Sequence, residues 1–394
     1  MPIYFKGNIK RDSIIEEYLV IGFPNNVSTP YHLIDLDKLE ENLSILAFLK
    51  QRANCKILYA LKCFPNDLLF PYINKVLDGV CASGLYEARL GKERFSKEVH
   101  TFSTAFSQSN IDEISKYSDF ITFNSTKQWN RFKNISMKYK CAVGLRINPD
   151  YSEIANYNTN PCHEYTRFGL ASSDLHKINI EHLDFILVHN MCEQLSDTFE
   201  RSIKVITGRL HEYLKSIKHI NLGGGQLFTH KDYKIEEAVS LIRNIQEKYQ
   251  TLVYIEPGEA IIYNSSYLVT SIVDIVDNGI KTAILDASAV CHMPDVIFSN
   301  YKCEVIGGFP EMETMHTYRL AGSSCYAGDI FGNFSFLEPL QVGQKITIKD
   351  SLNYTSVKSN MFNGIGYPSL VFYSFSAGYK LAKNYNYNTY LSII

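Results

Sequence analysis

Four stretches carry side chains suited to chemistry, each directly after an apolar run. "YALKCFPN" contains Lys62, and "HNMCEQ" brings His189, Cys192 and Glu193. "NLGGGQ" brings Gly223, Gly224 and Gly225, and "IEPGEA" brings Glu256 and Glu259. A lysine amine condenses with an aldehyde. A glycine-rich turn turns backbone N–H groups toward a phosphate. A carboxylate holds a proton on a heteroaromatic nitrogen, and an imidazole stacks on a planar ring. Each feature alone has an ordinary reading: a strand-end lysine whose ammonium reaches water, a satisfied histidine, a plain turn. Their common placement after apolar runs favours joint use.

Those runs also set the fold. Candidate strands lie at 56–61, 79–83, 98–104, 120–125, 142–148, 185–191, 219–225 and 253–259. Stretches with apolar residues at i, i+3 and i+4 separate most of them, the mark of amphipathic helices. Several strands are continuous apolar runs, as parallel strands covered on both faces require. Eight strands with intervening helices predict an α/β fold, a (β/α)8 TIM barrel. Active sites of such barrels form at the C-terminal strand ends, where the four stretches fall. No G-x-G-x-x-G follows the first strand, which disfavours an open doubly wound sheet.

After about residue 262 the pattern becomes "YLVTSIVDIVDN", "KTAILDAS", "TYRLAGSSC" and "QKITIKD", short β-rich segments that predict a C-terminal all-β domain. The early "TPYHLIDLD" is expected to add a strand to it. The expected division is residues 1–37 as an N-terminal segment partly joining the β domain, 38–262 as the barrel and 263–394 as the β domain.

Composition narrows the function. The 394 residues carry 39 Lys and Arg against 41 Asp and Glu, a net charge of −2, without a basic stripe. Nucleic acid is therefore not an expected partner. No apolar run approaches a membrane span, and the N-terminus lacks the apolar core of a signal peptide. Nine dispersed cysteines without a C-x-x-C pair suggest free thiols in a reducing cytoplasm, with no metal site.

Lysine, glycine turn, carboxylate and imidazole together are the parts needed to bind pyridoxal 5'-phosphate and use it as an electron sink. The landmarks "YALKCFPN", "CASGLYEARLG", "HNMCEQ", "NLGGGQ", "IEPGEA", "LDASAVCHMPDV", "AGSSCYAGD" and "MFNGIGYPSL" occur in order over nearly the whole chain. In them the chain resembles the alanine-racemase-like, fold type III pyridoxal-phosphate decarboxylases, which include the ornithine and diaminopimelate decarboxylases. "HNMCE", "EPGEA" and "CHMPD" bring it nearest the branch that acts on carboxynorspermidine and carboxyspermidine. The resemblance implies that Lys62 is the Schiff-base lysine, His189 stacks on the cofactor ring and Gly223 to Gly225 cradle the phosphate. It implies that Glu256 pairs with the pyridine nitrogen, Tyr354 lies near the phosphate, and Cys325 is supplied across the interface of a homodimer with shared active sites. One departure stands out: ornithine-type enzymes have "EPGR", and here the fourth residue is Glu259.

The implied activity is loss of the α-carboxylate from a polyamine precursor, giving norspermidine or spermidine, with Cys325 or Lys62 returning a proton. Distal cationic amines need carboxylates to offset desolvation; Glu259 and Asp295 are the first expected partners, Asp286 the third. Two alternatives stand beside this: a diaminopimelate or basic amino-acid decarboxylase of the same fold, and a non-catalytic cofactor-binding regulator. Retention of Lys62 and Cys325 disfavours the second. Among other residues, Arg146 reads equally as a site residue or a strand-end ion-pair partner. Cys192 and Cys291 read as packed thiols, Asp286 equally as a turn residue, and Trp129 as core. His163 lies in a Tyr/Asn-rich loop that reads as a lid or as plain surface.

Overall fold

The computed structural model describes residues 23–24, 26–178, 182–299, 301–312 and 315–394. The chain forms two compact units, Lys38–Tyr263 and a second built from Met1–Asp37 with Asn264–Ile394. The strands in chain order are β1 (Tyr31–Asp35), β2 (Lys56–Ala60), β3 (Gly79–Ala82), β4 (Glu98–Phe102), β5 (Phe120–Phe123), β6 (Ala142–Asn148), β7 (Leu170–Ala171), β8 (Phe185–Val188) and β9 (His219–Asn221). They continue with β10 (Leu252–Ile255), β11 (Ser266–Asp277), β12 (Lys281–Leu285), β13 (His316–Ala321), β14 (Ile330–Phe336), β15 (Lys345–Lys349), β16 (Ser369–Ser374) and β17 (Gly378–Lys383).

In the first unit the order β5-β4-β3-β2-β10-β9-β8-β6 closes through a β5–β6 pairing, with β7 on the outside of β6. All these pairings are parallel. This is the eight-stranded barrel expected from the sequence. Its strands are buried almost throughout, which is why they read as unbroken apolar runs. The helices show the complementary pattern. Ile235–Tyr249 buries Ala238, Val239, Ile242, Ile245 and Tyr249, one apolar stripe, with Glu236 and Glu237 in its first turn and Lys248 in its last. Thr126–Lys138 starts at Ser125, whose hydroxyl accepts the Gln128 N–H, and it buries Trp129 and Phe132.

The second unit is a sheet in the order β14-β13-β12-β11-β1-β16-β17, with β15 also on β11. β1 lies between antiparallel β11 and parallel β16. One apolar core gathers Leu268, Ile272, Leu285, Leu320, Phe331 and Ile348, and a smaller one gathers Tyr31, Leu33, Tyr267, Val269 and Val371.

Candidate active site

The chemistry-bearing residues of the barrel follow its strands. β2 ends at Ala60, and the chain then turns: the Cys63 N–H donates to Ala60 O (3.0 Å) and the Tyr59 hydroxyl to Phe64 O (2.5 Å). This turn leaves Lys62 exposed between buried Leu61 and Cys63. Its ammonium acts electrostatically on His189, Cys81, Glu87 and Cys192, so residues from three barrel segments face one charge.

His189 follows β8. Burial, with Lys62 and Arg146 nearby, holds its imidazole well below the usual histidine range, so it is neutral at neutral pH. Its Nδ1 accepts the Gly224 N–H (3.2 Å). The Gly223 N–H goes to Asn221 Oδ1 (2.9 Å). Two N–H groups of the triplet are thus engaged within the barrel, and what these glycines provide is close backbone approach. A Cβ on Gly223 would meet His189 at 2.7 Å, one on Gly224 would meet Glu256 O at 2.2 Å, and one on Gly225 would meet Met191 O at 2.1 Å. Gly223 and Gly225 also have φ of +64° and +96°, the region that favours glycine.

Glu256 follows β10. Its backbone N–H donates to Gly223 O (2.8 Å), and its Oε1 accepts Asn221 Nδ2 (2.7 Å). The Cys81 thiol, on β3, hydrogen-bonds the same carboxylate. Burial and that carboxylate push Cys81 well above the usual thiol range, so it stays a protonated donor. Glu259 opens the short helix Glu259–Ile262 and acts on Cys192, whose thiol burial pushes up to about 12. Cys192 is therefore a thiol beside the site.

Arg146 lies beside His189, which favours the site reading over the ion-pair one. It is 4% exposed, donates to His189 O (3.3 Å), and lies between the rings of Phe102 (4.7 Å) and Phe168 (4.4 Å). Burial lowers its guanidinium to about 10, still charged at neutral pH. Two aromatic faces and one carbonyl hold a cation where an ion pair was one expectation. The His163 ring lies tilted against that of Tyr157 (centroids 4.0 Å apart) within its own loop.

The second unit knits three sequence landmarks together. Asp329 is 3% exposed. Its Oδ1 accepts the N–H groups of Ala289 (2.7 Å) and Val290 (3.2 Å), and its Oδ2 accepts that of Ser324 (3.1 Å). Next to it the exposed Cys325 donates its N–H to Asn363 Oδ1 (2.7 Å). "SAVCHMPD", "AGSSCYAGD" and "FNG" are therefore one hydrogen-bonded cluster. His292 adds to it: Nδ1 accepts the Ser288 N–H (3.2 Å), which makes Nε2 the donor to Gly366 O (3.0 Å). Cys291 is buried, as a packed thiol should be. Tyr354 is half-buried with φ of 57°. Asp295 pairs with Lys358. Asp286 has both oxygens engaged in the sheet, by the hydroxyls of Thr29 (2.5 Å) and Thr270 (2.5 Å) and the Ser271 N–H (2.9 Å).

Sequence reasoning overlooked Asn221, Cys81, Glu87, Asp329 and Asn363. All five stood inside quoted motifs: Cys81 and Glu87 in "CASGLYEARLG", Asn221 in "NLGGGQ", Asp329 in "AGSSCYAGD" and Asn363 in "MFNGIGYPSL". The available signal was a polar residue close to a glycine: Asn221 two before Gly223, Asp329 after Gly328 and Asn363 before Gly364.

Residues 58–351 match the family described as pyridoxal-dependent decarboxylase, C-terminal sheet domain. The carboxynorspermidine/carboxyspermidine decarboxylase of Campylobacter jejuni is 34% identical over 93% of this chain and 99% of its own. The carboxyaminopropylagmatine decarboxylase of Synechocystis is also 34% identical, over 93% and 95%. Among solved structures, the C. jejuni carboxynorspermidine decarboxylase complexed with norspermidine superimposes with a TM-score of 0.86 at 33% identity, over 93% of this chain and all of that one. Diaminopimelate decarboxylase from Helicobacter pylori shares the fold, with a TM-score of 0.78 at 16% identity. With the family match spanning three quarters of the sequence and these relatives near full length, the chain belongs to the pyridoxal-dependent decarboxylases.

Proposed function

We propose that this chain decarboxylates carboxynorspermidine or carboxyspermidine, with pyridoxal 5'-phosphate as cofactor, to give norspermidine or spermidine. The observation that carries the activity is the convergence of Lys62, His189, the Gly223–Gly225 turn and Glu256 at one end of the barrel. The donor set fits the cofactor: an amine for its aldehyde, a neutral imidazole for its ring, a side-chain-free turn for its phosphate, and a carboxylate for its pyridine nitrogen. The cofactor, when bound, draws off the electron pair left on the α-carbon as carbon dioxide departs.

The residues divide the remaining work. Lys62 would hold the cofactor through its amine. His189 stays neutral, because burial, with Lys62 and Arg146 nearby, disfavours its charged form, and so presents a flat uncharged face. Glu256, gripped by Asn221 and Cys81, keeps the pyridine nitrogen protonated. Tyr354 completes the phosphate contacts. Cys325, held by Asn363 and the Asp329 cluster, comes from the partner subunit of a homodimer and shares with Lys62 the return of a proton to the α-carbon. Glu259 and Asp295 receive the distal ammonium groups. Asp286, already engaged by three donors, supports the sheet of the second unit. The nine free thiols suit a cytoplasmic enzyme. Among the described residues no helix is long and apolar enough to cross a membrane.

One observation favours a second reading. The Synechocystis relative matches as well as the C. jejuni one, and its name specifies a carboxylated aminopropylagmatine, whose distal group is a guanidinium. Purified protein with added pyridoxal phosphate, offered carboxynorspermidine, carboxyspermidine, carboxyaminopropylagmatine, diaminopimelate and ornithine, separates these readings. The proposal expects the highest kcat/KM on the first two. A higher value on carboxyaminopropylagmatine replaces it with the second reading, and a higher value on diaminopimelate or ornithine overturns both.

A further inference from the structure

We propose that Asn221 is the positioning residue that fixes the Glu256 carboxylate against the Gly223 turn; this rests on the cofactor reading above. Three hydrogen bonds close a ring. Glu256 N–H donates to Gly223 O (2.8 Å), Gly223 N–H donates to Asn221 Oδ1 (2.9 Å), and Asn221 Nδ2 donates to Glu256 Oε1 (2.7 Å). Glu256 is thus held by both its main chain and its side chain. Asn221 is the last residue of β9 and is 3% exposed. A buried amide at this place has one workable orientation: its NH2 faces the carboxylate and its C=O faces the N–H. The reverse would set oxygen against oxygen and nitrogen against nitrogen.

The ring joins the two places that must grip opposite ends of one rigid cofactor. Glu256 meets the pyridine nitrogen, and the glycine turn meets the phosphate. A carboxylate free to rotate would meet the nitrogen only part of the time. Asn221 also donates its hydrogen bond directly to a carboxylate oxygen, a charge-assisted contact that holds the group in one rotamer. An apolar residue here would leave a carboxylate oxygen and the Gly223 N–H without these partners. Cys81 holds the same carboxylate from β3, so Asn221 supplies what a thiol cannot: a strong donor and an acceptor on one planar group.

The test is a double-mutant cycle between Asn221→Ala and Glu256→Gln on the cofactor-loaded enzyme, with Asn221→Asp as the conservative variant. Asn221→Ala is expected to lower kcat about tenfold with KM changed by less than about twofold, since one charge-assisted bond is lost from the reacting state. In the Glu256→Gln background the same substitution should cost less than about twofold, because its target is already gone. Asn221→Asp keeps the acceptor for Gly223 and the size of the side chain. Its carboxyl can donate to Glu256 only while protonated. Its kcat, and the visible absorbance of its bound cofactor, should therefore approach wild type at low pH and depart from it as pH rises. Asn221→Asp decides the question if Asn221→Ala does not fold. Equal fold losses in both backgrounds, or pH profiles of Asn221→Asp parallel to wild type, overturn the role of Asn221 alone. Absence of a borohydride-stable cofactor adduct on the wild-type protein overturns the cofactor reading and this one with it.

Discussion

Two lysines flank the same barrel strand, and they live under opposite conditions. Lys56 opens β2. Its ammonium lies 3.1 Å from Glu98 and 3.5 Å from Asp78, and Glu98 in turn accepts from His100 (3.3 Å) and from the Tyr254 hydroxyl (3.1 Å). Burial works against the Lys56 charge, but Glu98 and Asp78 outweigh it and raise its pKa. Lys62 follows the other end of β2, where its neighbours are a histidine, two thiols and the partly buried Glu87. The same contrast holds for the carboxylates. Burial pushes Glu98 up, yet its bonds to His100 and Lys56 bring it down to about 2. Glu256 is held by an amide and a thiol, neither of them charged. At the N-terminal end of the barrel opposite charges neutralise one another and fix the fold. At the C-terminal end Glu256 is held by neutral donors and Lys62 is flanked mainly by neutral groups, and both remain available to a ligand.

The sharpest way to break this contrast is to remove each lysine. Lys62→Ala should abolish turnover. Lys56→Ala should leave kcat within about twofold and lower stability by about 1 kcal/mol, the scale of a part-exposed ion pair. Comparable kcat losses would erase the distinction between the two ends. The next largest effect concerns the second unit. Lys62→Ala and Cys325→Ala homodimers should each be nearly inactive, and after equal random subunit exchange activity should return to about a quarter of wild type. Exchange confirmed by mass without any recovery would mean that Cys325 does not act across an interface.

Glu256→Gln should lower kcat roughly ten- to a hundredfold, the rate equivalent of a lost charge-assisted hydrogen bond. Glu98→Gln should leave kcat nearly unchanged and lower Tm. A smaller effect is expected from Glu259→Gln and Asp295→Asn. Each should raise KM for the triamine substrate about three- to tenfold, the cost of one part-exposed ion pair, without changing the cofactor spectrum. An unchanged KM in both would put the distal amines elsewhere.

The smallest effect is on pH stability. Burial, with the charge of His292 adding to it, lowers His32 to about 3; burial lowers His292 to about 4 against the opposing pull of the Gly366 carbonyl, Asp329 and Asp286. Below the unfolded value of about 6.5 the unfolded chain takes up protons that the folded one refuses. Stability is therefore full above about pH 6.5 and falls as pH drops toward 3–4. Thermal melts across pH 4–7 should show this decline, and His292→Gln should flatten it. A Tm independent of pH in that window would contradict the assignment.

The barrel was legible because its strands are continuous apolar runs that stop where the chemistry begins: Lys62 after "KILYAL", Glu256 after "LVYI". In the second unit β14, β16 and β17 were not anticipated. "IFGNFSF" is interrupted by glycine and asparagine, and "GYKLAK" has the mixed polarity of a sheet edge. The polar residues that position the site were harder still. Asn221, two residues before three glycines, looks like a turn residue; only folding shows its amide spanning two strand ends. Arg146 finds its aromatic partners 44 residues earlier and 22 later in the chain, a pairing that no local pattern encodes.

The most direct test of the contrast between the two strand ends is chemical. The protein, loaded with pyridoxal phosphate, is reduced with borohydride, digested and mapped by mass spectrometry. A phosphopyridoxyl group on Lys62, absent from Lys62→Ala and never on Lys56, is the predicted result. Stoichiometric label on Lys56 or any other lysine, with Lys62 unmodified, would contradict the account.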